Sequence, residues 1–196
     1  MIISTSHNFV FTRIPKTGST SAYRMLHEFH DQSTVHESKI SRHTSINQLN
    51  DISNIYTDYK SCCFVRNTWD RLLSSHAHLA TRTGRRVSFD FHRWAMTLTS
   101  ENIHEHILTK PQHTFINESS RVFRYEEYDQ QMYEMFEYLE LPRPLSILHT
   151  NRTPHQFTIN RKHLLDEESI EHIGELYSQE INMFDYSPPV VITRNL

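Results

Sequence analysis

Twice along this chain a short apolar run ends in a polar loop that opens at once onto a helical pattern. The first run is Phe9-Val10-Phe11, closing at Pro15, after which Lys16-Thr17-Gly18-Ser19-Thr20 leads into Ser21–Phe29, with Tyr23, Met25, Leu26 and Phe29 near helical spacing. The second is Ser61–Val65, followed by Arg66-Asn67-Thr68 and a pattern that sets Leu72, Leu73, His76 and Leu79 on one face. Short runs rich in aromatic and β-branched residues favour strands. Strand, loop and helix repeated in that order predict an α/β fold with a mainly parallel sheet, because parallel neighbours need a crossover long enough to hold a helix. Ligands of such sheets bind beyond the carboxyl ends of the strands, where both loops fall.

The remaining elements fit this plan. Ser45 is placed to cap a short helix carrying Ile46, Leu49 and Ile52. Residues 88–109, with Phe89, Phe91, Trp94 and Leu98, are expected to be helical. Arg121–Tyr125 reads as a third strand. Glu127–Leu141 is an amphipathic helix with Tyr128, Met132, Met135, Phe136 and Leu139 on its stripe, stopped by Pro142 and Pro144. Asp166 caps a last long helix whose stripe is Ile170, Ile173, Tyr177, Ile181 and Phe184. A chain of 196 residues with 37% hydrophobic content is expected to form a single domain, 1–196, with its own core.

Composition removes several classes of function. A formal net charge of -3 argues against a nucleic-acid partner held by bulk positive charge. No apolar run approaches the roughly 20 residues that span a bilayer. Residues 1–10 lack the basic segment and apolar core of a signal peptide. Cys62 and Cys63 are adjacent in a strand pattern, so they point to opposite faces and read as two reduced thiols. The expectation is a soluble, cytoplasmic protein with no membrane span.

The first loop has the chemistry of an anion cradle. Gly18 lets the backbone turn and approach a ligand closely. The first N–H groups of the following helix point at an anion, and the helix dipole adds favourable potential. Thr17, Ser19, Thr20 and Ser21 carry hydroxyls, and Lys16 carries a mobile positive charge. A Walker A loop places its Lys after the second Gly, whereas here Lys16 precedes the loop's only glycine. After the second strand, Arg66 emerges at the strand end and Ser74 lies two turns into the helix. An Arg there can grip a phosphate through paired N–H donors.

Together the two segments resemble the PAPS-dependent sulfotransferases of the carbohydrate type, the family 2-like branch. Arg13-Ile14-Pro15-Lys16-Thr17-Gly18-Ser19-Thr20-Ser21 resembles the family's 5′-phosphosulfate loop. Phe64-Val65-Arg66-Asn67-Thr68-Trp69-Asp70-Arg71-Leu72-Leu73-Ser74 resembles its 3′-phosphate motif, with Thr68 where Pro is usual. In the same order follow Ser41-Arg42-His43-Thr44-Ser45, lying between the two motifs, then Pro111-Gln112-His113, Val122–Glu126, Asn151–His155 and a closing Tyr177–Tyr186 that resembles the family's Tyr-x-x-Asp-x-x-x-Phe-x-Tyr, with Glu180 at the acidic position.

The resemblance implies a P-loop-like, three-layer sulfotransferase fold with a central, mainly parallel sheet flanked by helices. It implies transfer of a sulfuryl group from PAPS to an acceptor hydroxyl, carbohydrate by family, leaving PAP, with no metal expected. It implies that Lys16 contacts the leaving oxygens, that Thr17, Gly18, Ser19, Thr20 and Ser21 cradle the 5′ end, and that Arg66 and Ser74 hold the 3′-phosphate. Arg13 and Arg152 are further candidates for anion contact. For the base that takes the acceptor's proton, His43 suits a hydroxyl at neutral pH, and Glu28 and Glu37 are the alternatives. The other histidines, among them His76, His78, His104, His106 and His113, match no zinc spacing. Two other readings stand beside this one: a variant P-loop phosphotransferase, and a non-catalytic module that binds PAP or another anion.

Overall fold

A computed structural model describes residues 1–30, 40–82, 90–150 and 165–189. The chain forms two compact units, Met1–Arg66 with Gln112–Asn151, and Asn67–Pro111 with Arg152–Leu196.

The first unit is built on a four-stranded sheet in the order β1 (Ile2–Ser4), β2 (Phe9–Thr12), β3 (Lys60–Val65), β4 (Arg121–Arg124). The three strands expected from the sequence are β2, β3 and β4, and they pair in parallel, Thr12 against Cys63 and Val65 against Arg124. The loops after β2 and β3 therefore leave the sheet side by side at its carboxyl edge. The sequence reading lacked β1, an antiparallel edge strand whose Ile2 pairs with Phe11. Three residues are too few to show alternation, but Ile2 and Ile3 each cover one face of the sheet.

That alternation sorts the core. Ile2, Phe9, Phe11, Cys62, Phe64 and Phe123 face one side, where α1 (Ser19–Leu26) contributes Ala22 and Leu26, and α5 (Tyr128–Tyr138) contributes Tyr128, Met132, Met135 and Phe136. Ile3 and Val10 face the other side, against Ile46 and Leu49 of α2 (Ile46–Ile52). The sheet thus has helices on both faces. Cys62 belongs to the first cluster while Cys63 does not, and both thiols are free and buried. The α2 cap is a full capping box, with Ser45 and Gln48 each accepting the other's backbone N–H. α5 ends before the prolines reach it, through Glu140 at φ 56° and a Leu141 N–H bond to the Phe136 carbonyl.

The second unit is helical among its described residues: α3 (Thr68–Arg82), α4 (Phe91–Ala95), α6 (Glu167–Leu176) and α7 (Ser178–Met183). The expected helix over 88–109 is shorter than read. It starts at the Asp90 cap and stops at Ala95. Side chains beyond it take over the backbone groups a helix would use: the Thr97 hydroxyl donates to the Trp94 carbonyl, and Asn102 binds both Thr97 O and Thr99 N. The final helix begins at Asp166 as expected but breaks at Tyr177, whose backbone leaves helical geometry while its phenol donates to the Thr109 carbonyl at 2.6 Å.

One buried group in this unit accounts for two departures from the family pattern. Glu180 and Arg71 are both fully buried, 3.7 Å apart. The Thr68 hydroxyl donates to the same Glu180 oxygen at 2.6 Å. A proline at 68 would leave that oxygen without this donor, so Thr68 and the longer Glu180 form a matched pair. His76 packs edge-on to Phe91 and beside Trp94 in the same core. Among the described residues no helix is long and apolar enough to cross a membrane, and no three His, Cys, Asp or Glu side chains are grouped to hold a metal ion.

Candidate active site

The loop after β2 is shaped by two left-handed residues. Lys16 has φ 67° and Gly18 has φ 75°, a region that costs an L side chain energy. The Thr17 and Ser19 hydroxyls both donate to the Ile14 carbonyl, at 2.9 and 2.8 Å, and draw the loop tight around that oxygen. Ser21 is committed elsewhere: its hydroxyl accepts the Thr150 N–H at 2.8 Å and lies 2.9 Å from the Thr150 hydroxyl. The hydroxyls that the sequence offers to an anion are thus largely engaged in holding the loop's shape. No side chain caps α1 at Gly18, so the groups this turn presents are backbone N–H.

Two tyrosines clamp the turn. The Tyr128 phenol donates to the Gly18 carbonyl at 3.0 Å, and burial keeps that phenol protonated, its pKa well above the ordinary range. A methyl group at position 18 would lie 2.6 Å from a Tyr128 ring carbon and 3.0 Å from Tyr125. Glycine is therefore required twice over, by its φ and by the rings against it.

Arg66 leaves β3 beside this loop. Its guanidinium stacks over Tyr125, 4.5 Å from the ring centre, and reaches the Lys16 carbonyl at 3.4 Å. Its buried Nε has no hydrogen-bond partner among the described residues. The backbone of Arg66 is held by Gln112, which is fully buried: the Gln112 side chain accepts the Arg66 N–H at 2.9 Å and donates to the Arg66 carbonyl at 2.8 Å. The sequence marked Pro111-Gln112-His113 only as a family-like segment. The signal for its role was the amide itself, a side chain with one donor and one acceptor that can satisfy a whole peptide unit.

His43 and Arg13 meet at the other side of the loop. His43 Nδ1 lies 2.6 Å from the Arg13 carbonyl. A carbonyl cannot donate, so Nδ1 carries the proton and Nε2 holds the lone pair. The His43 pKa is lowered from 6.5, chiefly by burial, with Arg42 and Arg13 adding repulsion that outweighs part of the carbonyl's opposing pull. His43 is thus held as a neutral imidazole, the form a general base requires. Arg13 itself is 6% exposed, stacks 4.1 Å over Tyr23, and has a buried Nε with no partner among the described residues.

The structure brings Arg13, Lys16, Thr17, Gly18, Ser19, Thr20, Ser21, His43 and Arg66 together in the first unit. Ser74 lies on α3 of the second unit, half-buried. Glu28 sits in a 3-10 turn after α1, exposed, on a groove with Met25, Phe136 and Pro142 rather than beside His43. Glu37 and Arg152 lie outside the described residues.

A model of the Sulfotransferase family matches residues 1–187. The chain belongs to that family. No curated protein and no solved structure gave a significant match. The match covers the glycine loop, His43, Arg66, Ser74 and the closing Tyr177–Tyr186 segment together. Family membership supports sulfuryl transfer as its chemistry, within an α/β fold of four mostly parallel strands flanked by helices.

Proposed function

We propose that the chain, acting as one sulfotransferase domain over residues 1–196, transfers a sulfuryl group from PAPS to an acceptor hydroxyl, with a carbohydrate as the acceptor class and PAP as the product. The observation that carries this reading is the Arg66 guanidinium: stacked on Tyr125, held through its backbone by Gln112, placed against the Lys16 carbonyl, and left with a buried Nε lacking a partner among the described residues. An unmet charged donor beside an anion loop fits a phosphate group.

PAPS supplies the activated sulfuryl group and a phosphate leaving group. The protein's part is placement and charge. In this reading the N–H groups from Thr17 to Thr20 and the Lys16 ammonium meet the 5′ end, Ser21, whose N–H is donated to the Gly18 carbonyl, closes the cradle behind them, and Arg13 lies at its margin. Arg66 and Ser74 hold the 3′-phosphate, Ser74 on the strength of the motif alone. His43 accepts the acceptor's proton at Nε2 while Nδ1–H stays on the Arg13 carbonyl. In-line transfer of this kind draws its rate mainly from orientation and from neutralising the leaving oxygens.

The test is ligand-dependent thermal stabilisation. PAP is expected to raise the melting temperature more than AMP or ATP does, and Arg66→Ala is expected to remove that preference. Stabilisation by ATP with none by PAP would sink the reading. Sulfuryl transfer from PAPS, lost in Lys16→Ala with PAP binding retained, separates an enzyme from a binding module.

A further inference from the structure

Three consecutive residues, Leu148 to Thr150, are fastened one by one to the elements around the loop after β2, all within the first unit. The Leu148 N–H donates to Met25 Sδ of α1 at 3.4 Å. His149 Nε2 lies 2.6 Å from Asp129 Oδ1 of α5, and its ring packs 5.6 Å from that of Tyr128. A carboxylate only accepts hydrogen bonds, so Nε2 carries a proton. The Thr150 N–H donates to the Ser21 hydroxyl at 2.8 Å, and the two hydroxyls are 2.9 Å apart. His149 thus sits between the two groups that support the loop from behind: its ring lies against Tyr128, and its backbone leads directly to Thr150.

Both supports bear on one peptide group. The Gly18 carbonyl accepts the Tyr128 phenol at 3.0 Å, the Ser21 N–H at 2.9 Å and the Ala22 N–H at 3.3 Å. The Gly18–Ser19 peptide is trans and planar, so a carbonyl fixed in that direction turns the Ser19 N–H the opposite way, out of the start of α1. The aim of that N–H therefore depends on Tyr128 and Ser21, and these in turn are held by His149 and Thr150.

We propose that His149, held by Asp129, is a positioning residue for the 5′ end of the donor: it braces Tyr128 and Thr150 so that the Ser19 N–H meets the 5′ phosphate. The inference deepens the sulfotransferase reading and rests on it. An ion pair open to solvent has little stabilising value of its own. The Asp129 side chain is 63% exposed and that of His149 27%, so the pair acts through what it orients and not through the stability it adds. It also acts on one end of the ligand. Arg66, which the same reading gives to the 3′-phosphate, is held by Tyr125, Gln112 and the Lys16 carbonyl instead.

The experiment titrates the full chain with two ligands, PAP and adenosine 3′-monophosphate, which lacks the 5′ phosphate. His149→Ala is expected to weaken PAP about tenfold, the effect of one lost hydrogen bond to a charged group, and to leave adenosine 3′-monophosphate unchanged. Asp129→Ala is expected to reproduce that selective loss. Asp129→Asn, which keeps an oxygen to accept from Nε2, is expected to restore PAP binding. A His149→Ala variant that weakens both ligands alike shows a merely structural residue and overturns the proposal, as does one that weakens neither. Wild-type protein that binds the two ligands equally removes the 5′ site, and the donor reading falls with it. The brace is then judged without ligand, by hydrogen exchange at the Ser21 and Ala22 amides, both bonded to the Gly18 carbonyl. Faster exchange in His149→Ala supports the brace, and unchanged rates overturn it.

Discussion

Replacing Gly18 by alanine tests the shape of the loop after β2 with a single methyl group. The first cost is backbone: at φ 75° an L residue is disfavoured by roughly 1–2 kcal/mol. The second is steric. The new methyl would lie 2.6 Å from a Tyr128 ring carbon, against an ordinary carbon–carbon contact of about 3.5–4.0 Å. Tyr128 cannot swing aside cheaply, because its phenol is bonded to the Gly18 carbonyl and its ring packs 4.9 Å from Phe64 in the core. Overpacking of this kind costs about 1–3 kcal/mol. The combined loss is about 3 kcal/mol, a drop of roughly 6–12 °C in melting temperature for a chain of this size. Differential scanning fluorimetry and urea unfolding measure it, and PAP titration reports the loop. The Tyr128 part of the steric cost is isolated by repeating the substitution in a Tyr128→Leu background, where that contact is gone and the backbone cost and the 3.0 Å contact with Tyr125 remain. A loss below about 0.5 kcal/mol, within the range of an ordinary surface substitution, refutes the argument. An equal loss in both backgrounds refutes its Tyr128 part.

Gly174→Ala in α6 is the contrasting case: the added methyl meets Trp69 at an ordinary 3.7 Å, and the change is expected to raise stability by about 0.5–1 kcal/mol in urea unfolding. Glu180→Ala strands the fully buried Arg71 and is expected to cost about 3–5 kcal/mol, whereas Thr68→Pro combined with Glu180→Asp is expected to cost less than the two changes summed, as measured by a double-mutant cycle. His43 titrates below 6.5 in the folded chain, so on acidification the unfolded chain takes the proton first; stability is lost as pH falls through the window beneath 6.5 and is unaffected above it. The acid limb of kcat/KM is expected in that same window and is expected to vanish in His43→Gln, a limb that persists in His43→Gln assigning the base elsewhere.

The parts of the fold legible in the sequence are those written in local pattern. β2, β3 and β4, the Ser45 cap and the α5 stripe each depend on residues a few positions apart. The misread parts depend on partners far along the chain or on competing local bonds. Ile2–Ser4 becomes a strand because Phe9–Thr12 folds back on it, the helix after Asp90 is cut short by Thr97 and Asn102, and the last helix breaks where Tyr177 reaches Thr109. The site divides the same way. The glycine loop, Arg66 and His43 stand out by motif, but the tyrosine clamp on Gly18 joins residues 110 positions apart and leaves no local trace. Nor does spacing reveal that the loop hydroxyls of Thr17, Ser19 and Ser21 are engaged with Ile14 and Thr150. The His43 tautomer is likewise a product of tertiary contact with Arg13.

The Gln112 side chain extends the sheet by one rung. β3 ends at Val65, where strand pairing to β4 stops, and Arg66 would then have both its backbone groups unmet. Gln112 supplies an amide that behaves as the missing peptide unit of an absent neighbouring strand, accepting and donating across one residue. The backbone of Arg66 thereby has the stiffness of a ladder and its side chain the reach of a loop. A glutamate at 112 would keep the acceptor and lose the donor, so half of that rung would open, and the arginine proposed to hold the 3′-phosphate would be anchored at one end only.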